Sequence, residues 1–308
     1  MKAVVTGASG FIGTWLVNEL LSRGDDVTVI IRDEKRLPEE WKNKVHIVEA
    51  SLEELSELDM DKFQTKKYDI FFHLAWAGTF GTERSNITLQ LKNVQAACDA
   101  VHLASHLLCR RFVNAGSIME YEAIQYITED GSSPGMGSIY STAKLTADFM
   151  AKAIAAKECI DYINVIISNI FGMGEYSTRF LNTTLRKMIN GEHIPLTHGN
   201  QLYDFIYVSD AVKAIILAGR EGKKNTSYYI GNKEQMPLKN FIIKMKDTLK
   251  SRSDLGFGEV PLKAAQLSYC EFDTKALSSL GFQPEITFEQ GILLTRDWMV
   301  SEEYEYKL

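Results

Sequence analysis

Two periodicities alternate through the first half of the chain. Short, nearly continuous apolar runs rich in β-branched residues occur at Lys2-Ala3-Val4-Val5, Val27-Thr28-Val29-Ile30-Ile31, Val45-His46-Ile47-Val48-Glu49 and Tyr68-Asp69-Ile70-Phe71-Phe72-His73-Leu74. Two more follow at Arg111-Phe112-Val113-Asn114-Ala115 and Tyr162-Ile163-Asn164-Val165-Ile166-Ile167. Helical or polar sequence separates each run from the next, the pattern of buried parallel strands with helices on both faces. Residues 89–108 and 140–157 are rich in Ala and Leu, with apolar positions recurring every three or four residues, and are predicted to be α-helices. Beyond about Gly174 the alternation becomes irregular, with a helix expected over residues 180–190 and a strand-like segment at Tyr203-Asp204-Phe205-Ile206-Tyr207-Val208. The prediction is an α/β protein with a doubly wound parallel sheet and a smaller C-terminal lobe for substrate. Residues 1–174 are expected in the sheet domain, joined by about 198–222, and residues 175–308 mainly in the lobe. No solenoid-length repeat or low-complexity linker interrupts the chain.

With 308 residues and 45% hydrophobic content, the chain can bury a large core. Its formal charge of -6 offers no basic stripe for a phosphate backbone, so a small molecule is expected as partner and nucleic acid is not. No apolar run reaches the roughly 18 residues needed to span a bilayer, and the chain opens on a strand without a signal-peptide core, so a cytoplasmic location and no membrane partner are expected. Cys98, Cys109, Cys159 and Cys270 are scattered, with no Cys-x-x-Cys pair, and His106, His193 and His198 have no partners at ligand spacing. Neither disulfides nor a metal are expected.

The chemistry begins at Thr6-Gly7-Ala8-Ser9-Gly10-Phe11-Ile12-Gly13, between the first strand and an amphipathic segment ending near Arg23-Gly24. Gly7 permits a tight turn, Gly10 lets the backbone close on a pyrophosphate, and Gly13 lets helix and strand pack closely. The helix N-terminus adds free N–H groups and partial positive charge, so a dinucleotide is expected on this turn, with Ser9, Phe11 and Ile12 beside it. Tyr140 and Lys144 stand four residues apart at the start of a predicted helix, hence on one face, where an ammonium favours the phenolate. Tyr-x-x-x-Lys alone is common on surfaces. Ser117, directly after the strand 111–115, adds a hydroxyl at the carboxyl edge of the sheet, where it can meet a developing oxyanion. His73 reads as packing at a strand end.

These segments resemble the extended short-chain dehydrogenase/reductase family of nucleotide-sugar epimerases, dehydratases and ketoreductases. Residues 6–13 are similar to its TGxxGxxG turn, His73-Leu74-Ala75-Trp76 to its HLAA strand end, and Ser117, Tyr140 and Lys144 to its catalytic Ser/Thr, Tyr and Lys. Asn169-Ile170-Phe171-Gly172 is similar to its NVYG segment, and residues 204–210 to RDFIYVxD. The resemblance implies a Rossmann-type fold, Tyr140 as general acid/base, Lys144 on the nicotinamide ribose, and Ser117 on the reacting oxygen. It further implies Ser51, Leu52, Leu74, Ala75, Trp76 and Asn93 at the cofactor, and Trp76, Met119, Asn169, Arg179 and Tyr203 at the substrate. Relatives often dimerise through the two long helices, so a homodimer is expected.

At the end of the second strand stands Ile31-Arg32-Asp33. Arg32, with Arg36 as a second contact, suits a 2′-phosphate, which favours NADP(H); NAD(H) remains open if Asp33 takes the ribose and Arg32 stacks on adenine. Ile118 and Met119 follow Ser117 where dehydratases carry acids, and Glu120 is one place late, which disfavours dehydration. Reduction of a nucleotide-linked 4-keto sugar is expected, nearest in kind to the CDP-abequose and CDP-paratose synthase group. An NAD-dependent epimerase with retained cofactor is the alternative, and a non-catalytic NAD(P)-binding regulator a third. Where the family has Arg in RDF the chain has Tyr203; either Arg179 or Arg186 replaces that charge, or the substrate is not a nucleotide sugar.

Overall fold

The apolar runs become strands buried on both faces. The structure, a computed structural model, describes residues 1–128, 134–232, 235–262 and 272–301, with the side chain of Arg36 also outside the description. In chain order the first elements are β1 (Lys2–Thr6), α1 (Phe11–Ser22), β2 (Asp26–Ile31), β3 (Val45–Glu49), β4 (Ile70–His73) and α2 (Ile87–His106). They are followed by β5 (Arg111–Ser117), α3 (Met119–Thr128), α4 (Ser138–Lys157) and β6 (Asp161–Ile167). The remainder comprises β7 (Asn169–Phe171), α5 (Phe180–Asn190), β8 (Ile194–Leu196), β9 (Leu202–Tyr203), β10 (Phe205–Tyr207), α6 (Val208–Glu221), β11 (Thr226–Ile230), β12 (Met236–Pro237), α7 (Leu238–Leu249), β13 (Leu255–Phe257), α8 (Lys275–Ser279) and α9 (Phe288–Met299).

Seven strands form one sheet in the order β11-β6-β5-β4-β1-β2-β3. The pairs from β3 across to β6 are parallel. The chain winds outward from β1 in one direction and from β4 in the other, so the carboxyl ends of β1 and β4 mark the topological switch point, where such sheets open a crevice. The rings of Phe71, Phe112 and Tyr162 stack in succession across β4, β5 and β6, with centroids 5.4 and 6.0 Å apart. Alanines on α2 and α4 let the two helices approach closely: Val94, Ala97, Ala143 and Ala147 make a shared apolar seam against which Trp76 packs.

Two compact units result: Met1–Ile167 with Val212–Tyr229, and Ser168–Ala211 with Ile230–Leu308. The segment 212–229 belongs to the first unit because β11, beside β6, is itself a strand of the main sheet. The second unit is organised by aromatic rings, with Phe241 4.9 Å from both Phe205 and Phe288 in edge-on or tilted contact. Two fully buried carboxylates tie its loops: Asp204 accepts from the Asn232 N–H at 2.9 Å, and Asp210 from Glu285 and Ile286 at 2.9 and 2.8 Å. Among the described residues no helix is long and apolar enough to cross a membrane.

Candidate active site

The glycine turn at the end of β1 is dictated by close backbone approach. Gly7 sits at φ +74°, and a Cβ there would lie 2.7 Å from the Ala75 nitrogen beyond β4. A Cβ on Gly13 would lie 2.0 Å from the Gly7 carbonyl oxygen, so α1 can pack on the turn only without a side chain at that position. At Gly10 the contact is looser, 3.3 Å from the same oxygen. The α1 N-terminus has no side-chain cap and no acid in its first turn, which leaves its N–H groups and partial positive charge for an anion. Phe11 and Ile12 open this helix.

A cleft of about 410 Å³ lies over the switch point. Gly7, Ser9 and Gly10 line it from the turn, Arg32 from the end of β2, Ser51 and Leu52 from beyond β3, and Leu74, Ala75 and Trp76 from beyond β4. Asn93 forms part of its wall and holds Ala77 with both amide atoms, each at 2.9 Å from the Ala77 backbone. Asp33 accepts the Lys35 N–H at 3.0 Å and so caps its own short turn. Lys92, unforeseen from the sequence, also lines the cleft and pairs with Glu53 at 2.6 Å. The uncapped turn, the side-chain-free approach and the cleft fit a dinucleotide.

Next to this cleft the catalytic candidates converge. Lys144 is 6% exposed, donates to the Ala115 carbonyl at 2.8 Å, and sits 3.7 Å over the Trp76 ring. Trp76 is fixed by its indole N–H on Gln90 Oε1 at 2.9 Å, and its ring meets the Tyr140 ring edge-on at 6.2 Å. Tyr140, one helical turn before Lys144, is buried with the Arg84 guanidinium 4.5 Å over its ring. Ser117 ends β5, and its hydroxyl accepts the Met119 N–H at 3.2 Å as α3 begins. Burial pushes the Lys144 amine down, opposed by the charge of Glu120, whose own carboxyl is pushed up by burial.

Arg84 and Glu120 are the residues that sequence reasoning missed as parts of this site. Arg84 carries no motif signal. Glu120 is visible as an acid just after Ser117, but its inward position becomes legible only with the sheet. Of the substrate candidates, Met119 heads α3 beside Ser117, whereas Asn169, Arg179 and Tyr203 belong to the second unit. There, Asn169 donates to the Asp204 carbonyl at 3.0 Å, Tyr203 stacks on Phe205 at 5.6 Å, and half-exposed Arg179 lies 3.8 Å from Glu175. Cys270 and the side chain of Arg36 lie outside the described residues. Among the described residues, no group of three or more His, Cys, Asp or Glu could hold a metal ion.

A glycine-turn cleft at the switch point of a parallel sheet, beside a buried Ser, Tyr and Lys, defines an enzyme of the short-chain dehydrogenase/reductase type. The chain belongs to the NAD dependent epimerase/dehydratase family, which matches residues 3–231, a family that modifies nucleotide sugars. It is 25% identical over 297 residues to CDP-abequose synthase of Salmonella muenchen, covering 94% of this chain and 95% of that protein. Among solved structures it is similar to UDP-N-acetylglucosamine 4-epimerase from Methanobrevibacter ruminantium M1, with TM-score 0.79, 22% identity and 98% coverage of each chain. It is also similar to UDP-glucose 4-epimerase from Thermotoga maritima, with TM-score 0.77, 18% identity, and coverage of 97% of this chain and 98% of that one.

His73 packs at the strand end. Its Nδ1 lies 2.9 Å from Thr6 Oγ1, its ring stacks near Phe112, and its Nε2 is buried with no hydrogen-bond partner among the described residues. Burial, and then the Lys144 charge, push its pKa from 6.5 down to about 3. The unfolded chain therefore binds a proton below pH 6.5 that the fold refuses until about pH 3, and stability present above that window is lost as pH falls through it. The His73→Phe variant is expected to lose less stability on acidification, its slope between about pH 6.5 and 4.5 being shallower than wild type by about 1.4 kcal/mol per pH unit. Urea unfolding at several pH values checks this, and equal slopes would refute it.

Proposed function

We propose that the protein reduces the keto group of a nucleotide-linked 4-keto sugar with NADP(H), using Tyr140 as general acid. The observation that carries the reading is the burial of Lys144 against the face of Trp76, whose ring meets that of Tyr140 edge-on, with its ammonium on the carbonyl of Ala115 in the strand that delivers Ser117. The glycine turn and the cleft residues would hold a reduced nicotinamide dinucleotide, which would supply the hydride for the carbonyl carbon and be left oxidised. As the C=O electron pair moves to oxygen, the Tyr140 O–H gives that oxygen its proton and becomes phenolate, and the Lys144 ammonium stabilises the phenolate charge. Ser117 donates its hydroxyl hydrogen to the same oxygen while charge develops.

Two observations support reduction over dehydration and NADP(H) over NAD(H). The acid nearest to Ser117 in sequence, Glu120, is engaged by the Ser117 N–H and by Asn164, and the neighbouring positions Ile118 and Met119 are apolar. Asp33 is occupied in capping its own turn, whereas Arg32 lines the cleft with a guanidinium suited to a 2′-phosphate. The likeness to CDP-abequose synthase supports a sugar nucleotide as substrate. Epimerisation with retained NAD⁺ is the second reading, favoured by the epimerases among similar structures. A homodimer is supported by the exposed apolar side chains Leu91 of α2 and Phe149 and Met150 of α4.

NADPH oxidation is expected with at least one member of a panel of CDP-, dTDP-, GDP- and UDP-linked 4-keto sugars, and Tyr140→Phe is expected to lower kcat about 10²- to 10⁴-fold. Turnover retained in Tyr140→Phe would defeat the acid assignment, and tightly held NAD⁺ released from the purified protein would favour epimerisation. Arg32→Asp is expected to shift the NADPH/NADH preference towards NADH about tenfold or more, read as the ratio of kcat/KM values. An unchanged ratio would remove Arg32 from the 2′-phosphate site. Light scattering is expected to give twice the chain mass, and a monomer at all concentrations would contradict the dimer.

A further inference from the structure

Glu120 is an acid buried to 3% exposure in a place where the proposed reaction has no use for a second proton donor. One carboxylate oxygen accepts the Ser117 N–H at 2.8 Å, and the other accepts from Asn164 Nδ2 at 3.2 Å. Asn164 Oδ1 in turn accepts from Asn114 Nδ2 at 3.0 Å, across neighbouring strands at paired positions of β5 and β6. Space for the carboxylate is reserved by the backbone, because a Cβ on Gly116 would lie 2.6 Å from both Glu120 Oε1 and Asn164 Oδ1. Both carboxyl oxygens therefore have donors, which pin the side chain in place, while burial pushes its pKa up to about 8.

We propose that Glu120 is a positioning residue for the reaction: by accepting the Ser117 N–H and anchoring on Asn164 it fixes the turn that presents the Ser117 hydroxyl. This rests on the roles given to Ser117, Tyr140 and Lys144 above. The charged and titratable groups around it are Lys144 and Asp148 from α4, Tyr162 from β6, and His73 of β4 beyond Lys144. Tyr162 donates to Asp148 at 2.9 Å, and burial raises the Asp148 carboxyl as it raises that of Glu120, which is pushed up to about 8. The part of Glu120 in the site is therefore the geometry of the Ser117 turn, set by its contacts to Ser117 and Asn164.

The test uses the full chain with Glu120→Leu, which keeps the volume and removes the acceptor, and faster hydrogen exchange at the Ser117 amide is expected. With the best substrate of the panel, kcat is expected to fall about 10- to 100-fold with KM changed less than about threefold. That penalty is expected to shrink below about threefold in a Ser117→Ala background, because the two residues act as one unit. Wild-type exchange at the Ser117 amide, or a penalty undiminished in Ser117→Ala, would overturn the proposal. Should Glu120→Leu not fold, Glu120→Asp decides: its shorter side chain withdraws the acceptor, so faster hydrogen exchange at the Ser117 amide is expected, and wild-type exchange overturns the role. Activity surviving in Tyr140→Phe would bring down the acid assignment alone, whereas an inactive Tyr140→Phe beside an unaffected Glu120→Leu would remove only Glu120.

Discussion

Keeping an ammonium inside the protein is the constraint around which the site is built. Removing such an ion from water costs several kcal/mol even after relaxation. The Ala115 carbonyl returns about 1.5–3 kcal/mol as a charge-assisted hydrogen bond. The Trp76 face adds on the order of 2 kcal/mol where water is excluded. Those two contacts are of the same size as the penalty without clearly exceeding it, and burial accordingly pushes the Lys144 amine down. The depressed Lys144 pKa and the opposing influence of Glu120 express that balance. Each stabilising contact also fixes geometry: the carbonyl comes from the strand that ends at Ser117, and the aromatic face touches the Tyr140 ring.

The cofactor half is governed by the backbone instead. At Gly7 and Gly13 the approach of α1 and the loop beyond β4 leaves no room for a Cβ, and Thr6 and His73, paired across β1 and β4, lock the two strand ends together through their side chains. The same closeness brings main-chain N–H groups to the floor of the cleft, where a diphosphate needs donors rather than side chains. Asn93 completes the arrangement by gripping both backbone groups of Ala77, so the loop carrying Trp76 is held by a helix as well as by its strand. Trp76 thus belongs to both halves, lining the cleft with one part of its ring system and supporting Lys144 with its face.

This division explains what was legible in the sequence. Strands β1 to β6 stood out because parallel strands buried on both faces read as continuous apolar runs, and α2 and α4 because their Ala and Leu periodicity extends over five turns. The glycine turn and the Tyr140/Lys144 pair were legible because their logic is local, resting on spacings of three or four residues. Glu120 and Arg84 were not, because what defines them is non-local: Asn164 is 44 positions from Glu120, and Arg84 meets Tyr140 from a different element. The helix α3 was not among the predicted elements, and its acids Glu120 and Glu122 are both buried, Glu122 accepting the Ser141 hydroxyl. That β11 closes the same sheet is non-local in the same way, because residues 168–225 separate it from β6.

The placement of α3 bears on which reaction the family scaffold supports here. An acid able to protonate a departing hydroxyl must present its proton to the substrate side, within hydrogen-bond reach. Both acids of the first turn of α3 are spoken for, Glu120 by the Ser117 amide and Asn164, Glu122 by Ser141 next to Tyr140. They brace the two members of the proton-handling set from behind, one through the backbone of Ser117 and the other through the neighbour of Tyr140. On the proposed assignment, a helix whose carboxylates serve the scaffold in this way leaves Tyr140 as the single proton donor to the reacting oxygen. One hydride and one proton then suffice, which is the stoichiometry of carbonyl reduction.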